Sequence, residues 1–384
     1  MLLIKNARIN DAIHKKPYVG DILIKGKKIA EIGKNLDYKC KTYDAKGQNV
    51  YPGFVEAHSH IGLHEYAIGF EGSDINEYNN IVYPELRAID AFEPFDPYVK
   101  EALEGGVTTV CTGPGSASVI CGQFAVIKTK GKRVDDMIVI PSAAMKCAFG
   151  ENPKNRYKEK GAGTRMGVAA KLRETLAKAQ DYDRKKRAAE ADPSKKEPNF
   201  DFKMEAMLPV IRGEIPLKAH AHRAYDTLTS IRIAKEFGVK LTLEHVTEGH
   251  LIADELAKEG YPVAVGPSMC GSSKFELRYK TFDTPAILAK AGCQVSIITD
   301  APVTQQKYLP ICAGFAIKAG MDPFAALQAI TINPAKHIGA ADRVGSIEVG
   351  KDADLVVMDG LFYDLQTKVK AVFVDGELAV EKKD

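Results

Sequence analysis

No apolar run in this chain approaches the roughly 18 residues a membrane helix needs. The amino terminus, Met1-Leu2-Leu3-Ile4-Lys5-Asn6-Ala7-Arg8-Ile9, lacks the basic leader and apolar length of a secretory signal, and reads instead as a first β-strand. Excess charge is also missing. Lys and Arg number 53 against 50 Asp and Glu, so a net +3 is spread over 384 residues. That is too weak to argue for nucleic acid or an anionic membrane as partner. No two cysteines stand in C-x-x-C spacing, and seven is an odd count. Without an export signal, the simplest reading is reduced thiols in a cytoplasmic protein, most of them serving as small core residues. There is no internal repeat.

What is present is ordinary globular composition, 45% hydrophobic and 27% charged, at a length that suits one large barrel and a small second domain. Both ends read as β-structure. Asp21–Lys25 and Lys28–Ile32 flank a Gly26-Lys27 turn, and Val369–Val374 and Glu377–Val380 flank Asp375-Gly376, a pair suited to the positive φ angles of a tight hairpin. Ala353–Met358 is a further apolar run. Residues 1–52 and 342–384 are therefore expected to build one small β-sandwich domain around a central 53–341.

That central part alternates strand and helix. Expected strands run over Val107–Thr112, from Met137–Ile140 toward Phe149, and over Pro216–Ala219, Val239–Leu243, Tyr261–Val265 and Cys293–Thr299. Expected helices run over Thr227–Phe237, stopped by Gly238, and over Glu248–Lys258. This rhythm is that of an α/β fold, a (β/α)8 TIM-like barrel with polar residues gathered at its strand ends. Residues 151–203 break the rhythm as a charged insertion, read as a solvated helix and loop or as a lid.

Five of nine histidines, His58, His60, His220, His222 and His245, fall at or just after expected strand ends, and Asp300 falls at another. Side-chain direction in a strand repeats every two residues, so His58-Ser59-His60 projects two imidazoles to one side. Such a pair can chelate a divalent cation, and the other strand ends offer further ligands.

These residues carry a resemblance. Pro52-Gly53-Phe54-Val55-Glu56-Ala57-His58-Ser59-His60 resembles the first-strand motif of the amidohydrolase superfamily. Asn333-Pro334-Ala335-Lys336 and Gly345-Ser346-Ile347-Glu348-Val349-Gly350-Lys351-Asp352-Ala353-Asp354-Leu355-Val356 resemble its carboxy-terminal motifs. Within it, the chain looks most like imidazolonepropionase-related and prolidase-like metal-dependent amidohydrolases. The resemblance implies metal ligands at His58, His60, His220, His245 and Asp300, with Lys146 at the fourth strand. A carbamate on Lys146 would bridge two cations, with zinc the metal expected from the ligand chemistry; without it, Glu151 would replace Lys146 and one metal would remain. Asp300 would take the proton from attacking metal-bound water and pass it to the leaving nitrogen.

The expected reaction is cleavage of a C–N amide bond in a dipeptide-like, N-acyl amino acid or small cyclic amide substrate. His222 and Arg223, with Arg165 from the insertion, are the candidates for substrate contact; for each arginine a structural salt bridge is the competing role, and for His222 support of a neighbouring ligand or a ligand's own place. His14, His64, His250 and His337 read as surface or packing residues. Gly113-Pro114-Gly115-Ser116 lacks the spacing of a nucleotide cradle and reads as a substrate-shaping loop. The alternatives are a one-metal imidazolonepropionase or deaminase and a non-catalytic scaffold. Deaminases of this superfamily carry a glutamate where Arg223 stands. The partner is a small-molecule substrate, with a homo-oligomer left open.

Overall fold

The structure is a computed structural model that describes residues 1–382, so the last two residues of the expected segment 342–384 lie outside it. Its sixteen strands are β1 (Leu2–Ile9), β2 (Tyr18–Lys25), β3 (Lys28–Gly33), β4 (Lys41–Asp44), β5 (Asn49–Pro52), β6 (Phe54–Ser59), β7 (Val107–Thr112), β8 (Ile120–Lys128), β9 (Ile138–Ala148), β10 (Leu217–Ala221), β11 (Leu241–His245), β12 (Val263–Val265), β13 (Val295–Ile297), β14 (Leu355–Met358), β15 (Val369–Val374) and β16 (Glu377–Glu381). They form two eight-stranded sheets.

One sheet joins both ends of the chain in the order β16-β15-β14-β5-β1-β2-β3, with β4 paired beside β1. Its hairpin turns have the expected chemistry: Gly26 has φ 59° in the first, and Asp375 and Gly376 have φ 51° and 76° in the second. Ile4, Ile22, Ile24, Val50, Leu355 and Phe373 bury one shared apolar core. Where this sheet meets the barrel, the buried ammonium of Lys128 faces Asp352 at 3.1 Å, Asp375 at 3.3 Å and Asp354 more closely still.

The other sheet runs β6 through β13 in chain order. It is the expected TIM-like barrel with one correction. All neighbours are parallel except β8, which runs antiparallel to both β7 and β9. Only residues 113–119 link β7 to β8, too few for the helical crossover that a parallel pair requires. The gap between β13 and β6 is spanned by the Ala329-Ile330 backbone: Ile297 N–H donates to the Ala329 carbonyl at 2.8 Å and Val55 N–H to that of Ile330 at 2.9 Å. Gly53 opens β6 where a Cβ would strike the Thr108 side chain, so the backbone approaches β7 only without one. Val55 and Ala57 then share an apolar cluster with Ala335 and Ile338, which ties the first-strand motif to the helix Ile332–His337 made by the carboxy-terminal one.

The helix after β10 spans Ala224–Phe237 and ends on Gly238 at φ 67°, as expected. The one expected over Glu248–Lys258 is two pieces, Gly249–Leu251 and Ala253–Glu259. The strands expected over Tyr261–Val265 and Cys293–Thr299 are only three residues each. The charged insertion also differs from its reading as a solvated segment. Its helix Arg165–Ala191 buries Val168, Leu172, Leu176 and Ala179 in the same apolar cluster as Leu217, Ile231 and Val239. Charge dominates its composition, yet a narrow apolar stripe suffices to seat it on the barrel flank. Among the described residues, no helix is long and apolar enough to cross a membrane, and all seven cysteines are free.

Candidate metal centre

The barrel collects two groups of ligand atoms, each group lying within 4.8 Å: His58, His60 and Asp300, and His220, His222 and His245. The ring centroids of His58 and His245 are 4.8 Å apart, so the groups adjoin. Lys146 lies between strands of both, fully buried, with Nζ 2.8 Å from His58 Nε2. His58, His60, His220, His245, Asp300 and Lys146, scattered over the chain, thus converge. His222 belongs to the second group at ligand distance, closer to a ligand's place than to the substrate contact read from its position two residues past His220.

Hydrogen bonds orient these rings. His60 Nδ1 lies 2.6 Å from the Gly113 carbonyl and His245 Nδ1 2.8 Å from that of Gly266. A carbonyl only accepts, so each Nδ1 carries a proton, the tautomer that in a neutral ring turns the Nε2 lone pair toward the site. His222 Nδ1 contacts Thr247 Oγ1 at 2.7 Å. Burial pushes His58, His220 and His245 well below the ordinary histidine pKa, and His222 to about 3, so all four rings are neutral ligand-type imidazoles at pH 7. Burial likewise lowers Lys146 to about 8. His245 and Asp300 have φ 72° and 51°, a strained backbone that turns both side chains at the strand ends.

These residues fit a divalent metal on their own geometry. Both nitrogens of His220, Nε2 of His245 and Oδ1 of Asp300 are buried without a hydrogen-bond partner. Unpaired buried polar atoms are destabilising, and nitrogen and carboxylate donors of this kind are what zinc takes.

Sequence reasoning missed the layer behind the ligands. Glu244, one residue before His245, accepts from His58 Nδ1 at 2.8 Å, Lys218 Nζ at 2.9 Å, His337 Nε2 at 2.7 Å and Thr242 Oγ1 at 2.8 Å. Burial alone would raise its carboxyl, but Lys218 and His337 hold it well below the usual range, so it is ionised. Glu56 accepts from His58 N–H at 3.0 Å, from both N–H and Oγ1 of Thr299 at 2.9 and 2.8 Å, and from Gln306 Nε2 at 2.6 Å. It locks β6 to the turn bearing Asp300. The only sequence signal was the acidic residue's place inside otherwise apolar strands.

The other candidates sit at the rim or away from the ligands. The carboxylates of Glu151 and Glu276 each accept from the other's backbone N–H, and Glu151 is in neither ligand group. Arg165 Nε is 3.1 Å from both carboxylate oxygens of Asp226, the structural salt bridge weighed for it. Arg223 Nε lies 3.7 Å from Glu248 Oε1, too far for a hydrogen bond. His14 is exposed beside Asp11, His64 has a buried Nδ1 without partner, His250 contacts Thr284, and His337 is buried on Glu244.

The Amidohydrolase family model matches residues 199–379. Amidohydrolase tasK of Hapsidospora irregularis is 27% identical over 94% of this chain and 40% of its own length. Adenine deaminase 2 of Desulfotalea psychrophila is 26% identical over 99% and 58%. Imidazolonepropionase of Thermoplasma acidophilum is 27% identical over 89% and 83%. The chain therefore spans well under two thirds of the first two. A crystal structure of an amidohydrolase from Thermotoga maritima superposes with a TM-score of 0.96 at 41% identity, covering 100% of both chains. On that whole-length match, this chain belongs to the amidohydrolase family.

Proposed function

We propose that the protein is a metal-dependent hydrolase of a C–N amide bond, in a dipeptide-like, N-acyl amino acid or small cyclic amide substrate. The observation that carries the reading is the pair of complete ligand groups adjoining at Lys146. His58, His60 and Asp300 would hold one cation and His220 and His245 a second, with His222 beside them. Lys146 would span both as a carbamate: its free amine forms an N–C bond to CO2 and releases a proton. Bound divalent metal supplies Lewis acidity, which activates water and polarises the scissile carbonyl. Asp300, whose Oδ1 lies 3.2 Å from His60 Nε2, would hold the cation through one carboxylate oxygen and with the other take the proton from the attacking water and deliver it to the leaving nitrogen. The buried walls exclude bulk water from that transfer.

Similarity to an adenine deaminase favours a second reading, deamination with one metal. Arg223 stands three residues after His220 and weakens it, because that place needs a carboxylate to move protons to a leaving amine. The scaffold reading is weakened by the full ligand set. Metal-loaded protein screened against N-acyl amino acids, dipeptides and cyclic amides tests all three. Amide hydrolysis with about two metals per chain is expected. Ammonia release from an aminated base at one metal per chain would establish the deaminase, and no metal uptake the scaffold.

A further inference from the structure

At the rim beside the histidine group, two arginines from distant segments interleave with three aromatic rings. The Arg223 guanidinium lies 4.5 Å from the Tyr225 ring centroid and 5.8 Å from Phe275. That of Arg278 lies 4.3 Å from the same Phe275 and 4.5 Å from Tyr279. The resulting ladder, Tyr225, Arg223, Phe275, Arg278, Tyr279, holds both guanidiniums by stacking, which leaves their N–H edges free. The three rings are exposed, while the arginine side chains keep only 19% and 27% exposure.

The charges of this ladder are not balanced by the protein. Both arginines face Glu248, each 3.7 Å from its Oε1, and Arg223 also lies within electrostatic reach of Asp226, whose charge Arg165 already meets. Glu248 Oε1 and Arg223 Nε are buried with no hydrogen-bond partner, and the other oxygen of Glu248 accepts from Ala224 N–H at 3.0 Å. Arg278 makes one further long contact, Nη1 to the Phe275 carbonyl at 3.4 Å. Two guanidiniums against one carboxylate leave a positive charge with unused forked donors. Lys274 is offset by Glu276 at 3.8 Å, while Lys280, held on Cys270 with no acid, adds to that surplus.

The ladder adjoins the reaction centre through two chain connections. Arg223 directly follows His222, and Phe275 precedes Glu276, whose Oε1 is 3.8 Å from His222 Nε2. We propose that Arg223 and Arg278 together bind a carboxylate of the substrate, making this a site for amides with an acidic group on one side of the scissile bond. Their planar forks match carboxylate geometry, and the exposed rings shelter that contact from water. Arg165 stacks on the other side of the ladder's first ring, 5.1 Å from the Tyr225 centroid, but its charge is met by Asp226, so the carboxylate site is left to Arg223 and Arg278. This inference rests on amide hydrolysis as the reading above, and separates N-acyl amino acids and dipeptides with a free carboxylate from uncharged cyclic amides.

The test pairs N-acetyl-phenylalanine with N-acetyl-phenylalaninamide, which differ in the carboxylate. Binding is read by calorimetry on the metal-loaded Asp300→Asn protein, and N-acetyl hydrolysis on the protein with Asp300 intact. With both arginines present, the acid is expected to bind and react better than the amide by about 30- to 100-fold, the worth of a charge-assisted contact. Arg278→Gln should collapse that ratio toward one, chiefly through KM. Arg278→Lys, which keeps the charge but loses the fork, should retain part of it. Equal binding of acid and amide, or a ratio unchanged by Arg278→Gln, overturns the proposal. Carboxylate-selective binding without hydrolysis supports the anion site while refuting the amide reading.

Discussion

Lys146 Nζ and His58 Nε2 stand 2.8 Å apart in a fully buried setting, with the opposite nitrogen of His58 on Glu244 at 2.8 Å. Since Glu244 is ionised and accepts only, the imidazole donates through Nδ1 and offers Nε2 toward Lys146. The lysine therefore meets a lone pair, in a site where burial has already lowered its own proton affinity to about 8.

Replacing Lys146 by Ala is expected to reduce turnover by at least about 100-fold, because it removes the group that would span both cations. Short carboxylic acids, which supply a similar bidentate anion, should partly restore it. Steady-state rates with and without acetate or propionate measure this, and an unimpaired Lys146→Ala enzyme refutes the carbamate.

Glu244→Gln keeps the size of the side chain but loses the charge that orients His58. Disturbing such an outer partner of a metal-bound histidine typically weakens metal affinity by about 10- to 100-fold. Competitive metal titration against a chelating dye reads the change directly. Affinity equal to the original protein's would mean that His58 is held by packing alone.

Asp300→Asn leaves an oxygen near His60 yet removes the base. Turnover should fall by about 100- to 10,000-fold, the usual worth of positioned proton transfer, while elemental analysis still finds substantial metal. Full activity in this variant would move the proton carrier elsewhere.

Asp352 tests the junction of the two sheets. It meets Lys128 at 3.1 Å, Lys28 at 2.7 Å and Arg343 at 2.9 Å. Burial opposes its ionisation, but Lys128 and the hydrogen bonds of Lys28 and Lys128 hold it below its ordinary 3.8. Its folded pKa being depressed, its contribution is complete above about pH 4 and fades as the pH falls through the folded value. Asp352→Asn takes the charged partner from Lys28 and Arg343 but leaves Lys128 on Asp354 and Asp375, so it should cost about 1–3 kcal/mol at pH 7, and should flatten the acid limb of urea midpoints measured against pH.

Leu176→Ala probes the insertion helix. Leu176 is fully buried in the cluster shared with the barrel, so truncation should lower stability by about 2–5 kcal/mol. A lid resting loosely on the rim would lose almost nothing, and denaturant unfolding tells the two apart.

The ligand set was legible in sequence because strand periodicity and motif spacing are local. His58 and His60 share a side by the two-residue repeat, and each later ligand ends its own apolar run. The hairpins at both ends were legible from turn chemistry in the same way. The short strands β12 and β13 were overextended in the reading: Ile298 still donates to the Val265 carbonyl at 3.0 Å, but regular pairing has ended at Ile297 and its side chain packs with Ala264 and Ile338.

The sequence by itself determined which residue types alternate along each strand, where turns must break the chain, and so the candidate donors His58, His60, His220, His245 and Asp300; Lys146 joined them through the family resemblance. Only tertiary structure decided that β8 reverses direction, that Glu244 and Glu56 fasten the ligands from behind, that Arg165 closes on Asp226, and that Arg278 comes beside Arg223. The physical reason is range. Periodicity and turn propensity act over a few residues, whereas the pairing of a buried charge depends on which distant segment packing brings within a few ångströms.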